Sequence, residues 1–244
     1  MQVCHNITGI LISHRYRMKI GGLAKNSFVD YPGKIAAVIF AVGCNYDCWY
    51  CHNRGLLTET EHLDNNEVLD FLYKRRGQLD AVVFSGGEVC MQQGLIEMMS
   101  EVKDMGYLIK LDTNGAYPSV LQELLDKELL DYIAMDIKAP LDKYKIAACM
   151  DADTAALCES IKLIMNCGVD YEFRTTCIPQ LAVADIEDIA KTIAGARLYA
   201  LQQYRHQPEG KVIGMKYKPH EKQFFIDAKA AAEKYVGKVV LRGV

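Results

Sequence analysis

The fold of this chain is decided where an apolar segment runs into three cysteines. The sequence there reads Ile35-Ala-Ala-Val-Ile-Phe-Ala-Val42, then Gly43, then Cys44-Asn-Tyr-Asp-Cys48-Trp-Tyr-Cys51. Three residues and then two separate the cysteines, and no fourth cysteine follows closely. Three thiolates can hold an iron–sulfur cube and leave one iron without a protein ligand. Because an open coordination position marks a catalytic metal site, the stretch predicts a catalytic cluster on a loop after a buried strand.

Short apolar runs alternate with longer amphipathic stretches along the rest of the chain. This alternation is typical of βα units, which form a parallel sheet with helices outside. The predicted strands span 35–41, 81–85, 107–112, 132–137, 170–176 and 197–203, with a short last strand at 238–241. The predicted helices span 65–77, 91–104, 119–127, 154–166, 184–194 and 219–236. Asp64 and Asp185 are the expected N-caps of the first and the fifth of these helices.

Polar motifs directly follow four of the predicted strands. In (β/α) barrels the carboxyl ends of the strands form the active-site face, so these motifs are expected to converge there. The chain is therefore predicted to be an α/β protein with a partial (β/α)6 TIM-type barrel rather than a doubly wound sheet. Six units do not close an eight-stranded barrel, and one side is expected to be open to a large substrate. The motifs are Cys44–Cys51, Gly86-Gly87-Glu88, Asp112-Thr113-Asn114-Gly115 and Asp136-Ile-Lys138.

The composition argues against several other classes of protein. The chain has 244 residues and a formal net charge of −3, which does not indicate nucleic-acid binding. No apolar stretch approaches the roughly 20 residues that span a bilayer, and the order of basic and apolar residues near the N-terminus is wrong for a secretory signal. Nine cysteines without such a signal indicate reduced thiols and a cytoplasmic location. Residues 1–17 are expected to be an extension or a disordered arm, ahead of one domain at 18–244.

Three other interpretations of Cys44, Cys48 and Cys51 have to be considered: a zinc site, a haem attachment site and chance clustering. A structural zinc site needs a second ligand pair at suitable spacing, and none follows. Cys48-Trp-Tyr-Cys51-His52 matches the c-type haem attachment pattern, but haem attachment leaves Cys44 without a role and needs an exported chain. The six remaining cysteines are widely spaced and are interpreted as buried or incidental thiols rather than as a second metal site.

The spacing C-x3-C-x2-C, with Tyr50 directly before the last cysteine, resembles the signature of the radical S-adenosylmethionine superfamily. The resemblance implies that Cys44, Cys48 and Cys51 bind a [4Fe–4S] cluster, whose fourth iron takes the amine and carboxylate of S-adenosylmethionine. It also implies that Tyr50 lies near the adenine through its backbone. One electron from the cluster would then cleave the sulfonium and release a 5′-deoxyadenosyl radical.

Ser85-Gly86-Gly87-Glu88 resembles the second motif of the same superfamily. Taken alone, two glycines after a strand usually mark only a turn. The resemblance implies that Gly86, Gly87 and Glu88 hold the methionyl ammonium, since glycines allow close backbone approach and a carboxylate suits a cation. The proline that usually follows the acid is replaced by Val89, and Cys90 comes next.

The resemblance narrows to the activating enzymes of glycyl radical enzymes, and within them to those of anaerobic ribonucleoside-triphosphate reductases. It extends from about Met18 to the C-terminus. It implies that the chain generates a glycyl radical on a partner enzyme, most simply an anaerobic ribonucleotide reductase, with flavodoxin or ferredoxin as the electron donor. The motifs that carry it are Ser27-Phe-Val-Asp30-Tyr-Pro32-Gly33, Cys51-His52-Asn53, Asp112-Thr113-Asn114-Gly115 and Asp136-Ile-Lys138.

The same resemblance implies further contacts with S-adenosylmethionine. Asp136 and Lys138 would lie beside it, and the guanidinium of Arg174 would face its carboxylate. Asp112 and Thr113, together with Asp136, would hold a monovalent cation near that carboxylate. Taken alone, each group also fits a turn, a surface pair or a structural salt bridge.

Related activating enzymes carry a histidine near the cofactor at the end of the sixth strand, which here reads Gln203-Tyr204-Arg205-His206. His206 is taken as the candidate, although the register also allows Arg205. Two other functions stay open at this point. One is radical chemistry on a small molecule or peptide, or activation of a pyruvate formate-lyase-like enzyme. The other is no enzyme at all, but an iron–sulfur electron carrier or a zinc-stabilised interaction module.

Overall fold

One sheet contains the eight named strands of the described part of the chain, in the spatial order β1 to β8. The computed structural model describes residues 18–58, 61–205 and 217–244. Strands β2 to β8 are parallel, and β1 pairs antiparallel with β2. The strands are β1 Ile20–Ser27, β2 Ala36–Ala41, β3 Ala81–Gly86, β4 Leu108–Thr113, β5 Tyr132–Asp136, β6 Asp170–Cys177, β7 Tyr199–Gln203 and β8 Val239–Arg242.

A helical connection follows each of the strands β2 to β7, which confirms the predicted partial (β/α)6 barrel. The sheet is not closed, because β1 and β8 lie at its two edges. The helices are α1 Asn65–Lys74, α2 Leu95–Asp104, α3 Pro118–Asp126, α4 Lys145–Ala148, α5 Thr154–Asn166, α6 Val183–Thr192 and α7 Lys222–Ala232. No helix in the described ranges combines the length and the apolar character needed to cross a membrane. The segment 1–17 lies outside the described residues.

Strand β1 is the element that the sequence pattern did not predict. Its sequence, Ile-Gly-Gly-Leu-Ala-Lys-Asn-Ser, contains two glycines and a single β-branched residue. Such a segment has little intrinsic strand preference. It forms a strand because backbone pairing with β2 at the edge of the sheet supplies the stability that its side chains do not.

The parallel strands have two differently built faces. Successive side chains alternate between the faces, and Ile109 and Leu111 of β4 belong to the large core packed under the helices. Lys110 and Asp112 therefore point to the opposite face, which faces the barrel interior. Near the amino ends of the strands this face is filled by a small apolar cluster of Tyr31, Ala36, Val38, Ala81, Val83, Tyr132 and Ala134. The polar residues lie further along the strands, toward their carboxyl ends.

The two predicted N-caps have different outcomes. The Asp64 carboxylate accepts the backbone N–H groups of Asn66 and Glu67, which confirms it as the N-cap of α1. The prediction for Asp185 was wrong, because α6 begins at Val183 and Asp185 is its third residue. From there its carboxylate accepts the N–H of Ala182 at 2.8 Å and the ammonium of Lys143 at 2.6 Å.

Candidate active site

A cavity of about 240 Å³ opens at the carboxyl ends of the parallel strands. Loops after β2, β3, β4 and β5 contribute to its lining, together with side chains from the ends of β6 and β7. The fold thus brings together almost all of the residues that the sequence singled out. Those that line the cavity are Cys44, Cys48, Tyr50, Cys51, Gly86, Gly87, Glu88, Asp112, Thr113, Asp136, Lys138 and Arg174.

The candidate at the end of β7 is the exception. His206 lies outside the described residues, so its predicted role stays a prediction. Arg205 is exposed, and its guanidinium lies against the backbone at Gly243 rather than in the cavity. In the described part of β7, Gln202 is the side chain that reaches the cavity wall.

The loop that carries the three cysteines is held by backbone hydrogen bonds. Gly43 has a φ of 85°, which turns the chain out of β2, and its N–H donates to the carbonyl of Leu56 at 2.8 Å. The N–H of Cys51 donates to the carbonyl of Cys48 at 3.1 Å, and the Sγ of Cys44 accepts the N–H of Tyr46 at 3.4 Å. These hydrogen bonds therefore define the backbone shape of the loop.

Burial disfavours the charged form of the three cysteine thiols. Burial raises the pKa of Cys44 and of Cys51 above the ordinary value, and it raises the pKa of Cys48 to about 11. Thiolates are the metal-binding form, so cluster assembly has to displace these protons. The described residues contain no group of three His, Cys, Asp or Glu side chains that could hold a single metal ion. A four-iron cube does not require one, because its three thiolates bind three different irons.

The two glycines at the end of β3, Gly86 and Gly87, are required by contact with β2 and with the loop that carries the cysteines. Gly86 has a φ of 113°, and a Cβ there would lie 2.5 Å from the backbone nitrogen of Ala41. A Cβ on Gly87 would overlap the carbonyl oxygen of Gly43. The N–H of Glu88 donates to that same carbonyl at 2.9 Å. The glycine loop and the cysteine loop thus touch backbone to backbone.

Glu88 is 1% exposed, and its carboxylate accepts three hydrogen bonds. Its Oε1 accepts the N–H of Cys90 at 3.0 Å and the hydroxyl of Thr113 at 2.7 Å, and its Oε2 accepts the N–H of Asn114 at 2.7 Å. Burial raises the pKa of Glu88, and these three donors oppose that effect. A carboxylate has about four acceptor positions, so Oε2 retains room for one more donor from the cavity.

Asp112 lies between two cations at the end of β4. Its Oδ1 is 2.6 Å from Lys110 Nζ and 3.3 Å from Arg174 Nη1, and its Oδ2 accepts the hydroxyl of Ser85 at 3.0 Å. Burial alone favours the neutral acid, but Arg174 and Lys110 together hold the pKa of Asp112 below its ordinary value. The predicted cation-holding carboxylate is therefore already neutralised by protein groups.

Asp136 is paired in a similar way at the end of β5. Its Oδ1 accepts the Nε of Arg174 at 2.7 Å, and its Oδ2 lies 3.7 Å from the ammonium of Lys138. Burial opposes the charge of Lys138, but Cys48, Tyr50 and Asp136 favour it and hold the pKa of the ammonium well above its ordinary value. Arg174 and Lys138 thus present two fixed positive charges at one side of the cavity.

Three polar residues of the site were not given roles from the sequence. Asn53 donates from its side chain to the carbonyl of Gly86 at 3.0 Å, and Asn114 donates to Asn45 at 2.7 Å, so each ties two loops together. Lys110 is 2% exposed. A lysine inside the otherwise apolar run Tyr107–Leu111 is unusual, because charged side chains are almost never buried unless they are paired. The position of this lysine in a buried strand could have predicted that it pairs with a carboxylate near the site, as it does with Asp112.

The donor set fits an iron–sulfur cluster with an amino-acid ligand: three thiols on one loop, two cations opposite, and one carboxylate with a free acceptor position. The family model that matches the chain is the radical SAM superfamily, over residues 38–193. The chain belongs to the radical SAM superfamily. Members of this family use a [4Fe–4S] cluster and S-adenosylmethionine.

Relatives define the branch of the superfamily. A protein of Methanocaldococcus jannaschii, provisionally named a glycyl-radical enzyme activating enzyme, is 37% identical over 92% of this chain and 96% of its own length. The pyruvate formate-lyase-activating enzyme of Clostridium pasteurianum is 29% identical over 73% of this chain and 77% of its own. Within the superfamily, the chain is thus an oxidoreductase of the glycyl-radical-enzyme activating group.

Solved structures agree with the fold. SuiB of Streptococcus suis bound to S-adenosylmethionine superposes with a TM-score of 0.64 at 12% identity, over 84% of this chain. The chain covers 50% of that protein, so it spans about half the length of SuiB. At this identity the likeness concerns the fold alone.

Proposed function

We propose that this chain, as one domain over residues 18–244, generates a glycyl radical on an anaerobic ribonucleotide reductase in the cytoplasm. Cys44, Cys48 and Cys51 would hold the cluster, and S-adenosylmethionine would lie in the cavity described above. The observation that carries the proposal is the convergence of three thiols, one partly satisfied carboxylate and two cations in a single cavity. A cluster and a zwitterionic amino acid need those groups together.

Each wall of the cavity suits one part of S-adenosylmethionine. The ammonium would meet Oε2 of Glu88, which carries one protein donor, and the backbone at Gly86 and Gly87. The carboxylate would meet Arg174, whose charge is fixed, with Lys138 beside it. Tyr50, which is buried and directly precedes the third cysteine, lines the cavity, and its backbone would border the adenine.

Held by Cys44, Cys48 and Cys51, the cluster would supply the one-electron reduction that cleaves S-adenosylmethionine and so starts radical chemistry at the glycine of the partner. The residues of the chain would bind S-adenosylmethionine and hold it in a fixed orientation beside the cluster. They exclude water from the cluster side and fix the amino-acid head group, while the open edge of the sheet admits the loop of the partner. A one-electron donor such as flavodoxin or ferredoxin restores the cluster after each turnover.

The reductase is preferred as partner because the strand-end motifs of the chain resemble those of its activating proteins from Met18 to the C-terminus. A pyruvate formate-lyase-like enzyme is the second candidate, favoured by the 29% identity to the activating enzyme of Clostridium pasteurianum. The two partners offer glycine loops of similar chemistry, so the cavity does not separate them.

The decisive experiment is anaerobic incubation of the reconstituted chain with reductant, S-adenosylmethionine and each purified partner. An electron paramagnetic resonance doublet from a glycyl radical is expected on the reductase. A doublet on the formate-lyase alone would transfer the proposal to that partner. Failure to release 5′-deoxyadenosine under any condition would remove the enzymatic proposal altogether.

An iron count separates this proposal from radical chemistry on a small molecule. One cluster gives about four irons per chain, whereas an auxiliary cluster would raise the count to about eight. Cys48→Ala is expected to abolish the cluster. Cys158→Ala, at a half-buried thiol on α5, is the matched control and should leave the count unchanged.

A further inference from the structure

Asn114 contacts the loop that carries the first cysteine. It directly follows β4 and is 5% exposed. Its side-chain nitrogen lies 3.8 Å from the Sγ of Cys44 and donates to Oδ1 of Asn45 at 2.7 Å. The two hydrogens of the amide are therefore used by two neighbouring acceptors on one loop. Nothing in the function proposed above gives this residue a role.

The orientation of the Asn114 amide is fixed by its other partners. The N–H of Ala116 donates to Asn114 Oδ1 at 3.0 Å, so the oxygen faces its own turn and the NH2 group has to face the cysteine loop. The backbone N–H of Asn114 donates to Oε2 of Glu88 at 2.7 Å. This backbone bond holds the residue in place, and the side-chain amide cannot turn away from Cys44 without losing its bonds to Asn45 and Ala116.

We propose that Asn114 is a positioning residue that donates an N–H···S hydrogen bond to Cys44 and thereby sets the reduction potential of the cluster. The proposal rests on the assignment of Cys44 as a cluster ligand in the proposed function. Hydrogen bonds to the sulfurs are among the factors that set cluster potentials. A donor stabilises the more negative, reduced state, so the bond raises the potential. The N–H of Tyr46, at 3.4 Å, is a second donor to the same sulfur.

A purely structural role for Asn114 would act through Asn45 instead. In that case the side-chain bond at 2.7 Å would tether the two loops, and the contact with the sulfur would be incidental. The two roles predict different behaviour for Asn45→Ala. This substitution removes the tether and an oxygen that lies 3.8 Å from the Sγ of Cys44, but it removes no N–H donor to that sulfur.

The test is a redox titration of the reconstituted chain, followed by electron paramagnetic resonance, without S-adenosylmethionine and without a partner. Asn114→Ala removes both the donor to the sulfur and the acceptor for Ala116. Asn114→Asp keeps the shape and the acceptor but replaces the donor by a carboxylate, whose negative charge also lowers the potential. At a fixed potential, the ratio of reduced to oxidised cluster is expected to fall about tenfold in Asn114→Ala, equal to about 59 mV for a one-electron couple, and by at least as much in Asn114→Asp. Asn45→Ala should keep the parental midpoint.

Two results would overturn the proposal. One is a parental midpoint in both Asn114 variants at full iron content, and the other is an equal shift in Asn45→Ala. Thermal unfolding of the metal-free chains establishes the fold first. A folded Asn114→Asp chain that takes up no iron, while Asn45→Ala takes up its full amount, supports the sulfur contact. Retention of iron in Cys44→Ala would instead refute the ligand assignment itself.

Discussion

Arg174 and Asp136 are register partners on adjacent strands, and the Nε of Arg174 donates to Oδ1 of Asp136 at 2.7 Å. The same guanidinium reaches Asp112 through Nη1 at 3.3 Å. One side chain therefore links the carboxyl ends of β4, β5 and β6. It is also the cation that we assign to the carboxylate of S-adenosylmethionine, so it serves the fold and the cofactor together.

Arg174→Ala is expected to weaken both functions. It leaves two partly buried carboxylates with one partner fewer each, which should lower the free energy of unfolding by about 3 kcal/mol. Anaerobic calorimetry should show about a tenfold or greater loss of affinity for S-adenosylmethionine, because the charge-assisted contact with its carboxylate is removed. Lys229→Ala, which breaks an exposed pair with Glu233 on α7, is the control and should change neither quantity appreciably. Parental affinity in Arg174→Ala would refute the assignment.

Lys110 makes the fold sensitive to acid through Asp112. Lys110 and Arg174 hold the pKa of Asp112 below its value in the unfolded chain, so its charge stabilises the fold above about pH 4 and this contribution is lost as the pH falls further. In Lys110→Met the pKa is less depressed, and the drop in unfolding free energy between pH 7 and pH 3 should become smaller. Urea titrations at both pH values measure it, with exposed Lys162→Met as the control.

The same substitution tests the predicted monovalent cation. The resemblance implied that the carboxylate of Asp112 holds such a cation. In the structure the ammonium of Lys110 lies 2.6 Å from Oδ1 of this carboxylate instead. We therefore expect the parent chain to bind S-adenosylmethionine equally well in potassium and in choline salts at constant ionic strength. Lys110→Met should bind it more weakly in choline and recover in potassium. A parent chain that itself requires potassium would show that Lys110 does not supply the charge.

Gly87→Ala should disrupt the cysteine loop. Its Cβ would overlap the carbonyl oxygen of Gly43, and backbone atoms cannot move aside as a flexible side chain can. We expect a lower melting temperature and a loss of most of the reconstituted iron. Gly55→Ala is the matched control, because no atom lies within 4 Å of the added Cβ there. Full iron content in Gly87→Ala would mean that the loops separate easily.

Val89→Pro, which restores the residue usual in the superfamily, should be tolerated. Val89 is the first residue of a short 3-10 helix, a position where a missing N–H costs little. The preceding Glu88 has φ −101° and ψ 112°, the extended conformation that precedes proline readily. Melting temperature and affinity for S-adenosylmethionine should both stay near the parental values. A large loss of either would show that the valine side chain, which is fully buried, is required for packing.

The sequence predicted the parallel part of the fold because each buried strand, such as Ala81–Gly86, is an apolar run ended by a polar or glycine turn. It did not predict β1, whose stability comes from pairing with β2 rather than from its own residues. The sequence correctly predicted that Glu88 and Arg174 lie at the same edge of the sheet, because the carboxyl ends of parallel strands share one edge. The partners of these groups could not be read from the sequence. Asn53 and Asn114 acquire roles only through contacts across 26 or more residues, which no local pattern encodes.

Gly43 donates to Leu56, accepts from Glu88 and admits Gly87 against its carbonyl, and none of these bonds involves a metal. The backbone around the cysteines is therefore held in place by the protein itself. We expect the loop that carries the cysteines to keep its backbone shape while iron and sulfide are inserted. Insertion of the cluster would then require little rearrangement of the backbone.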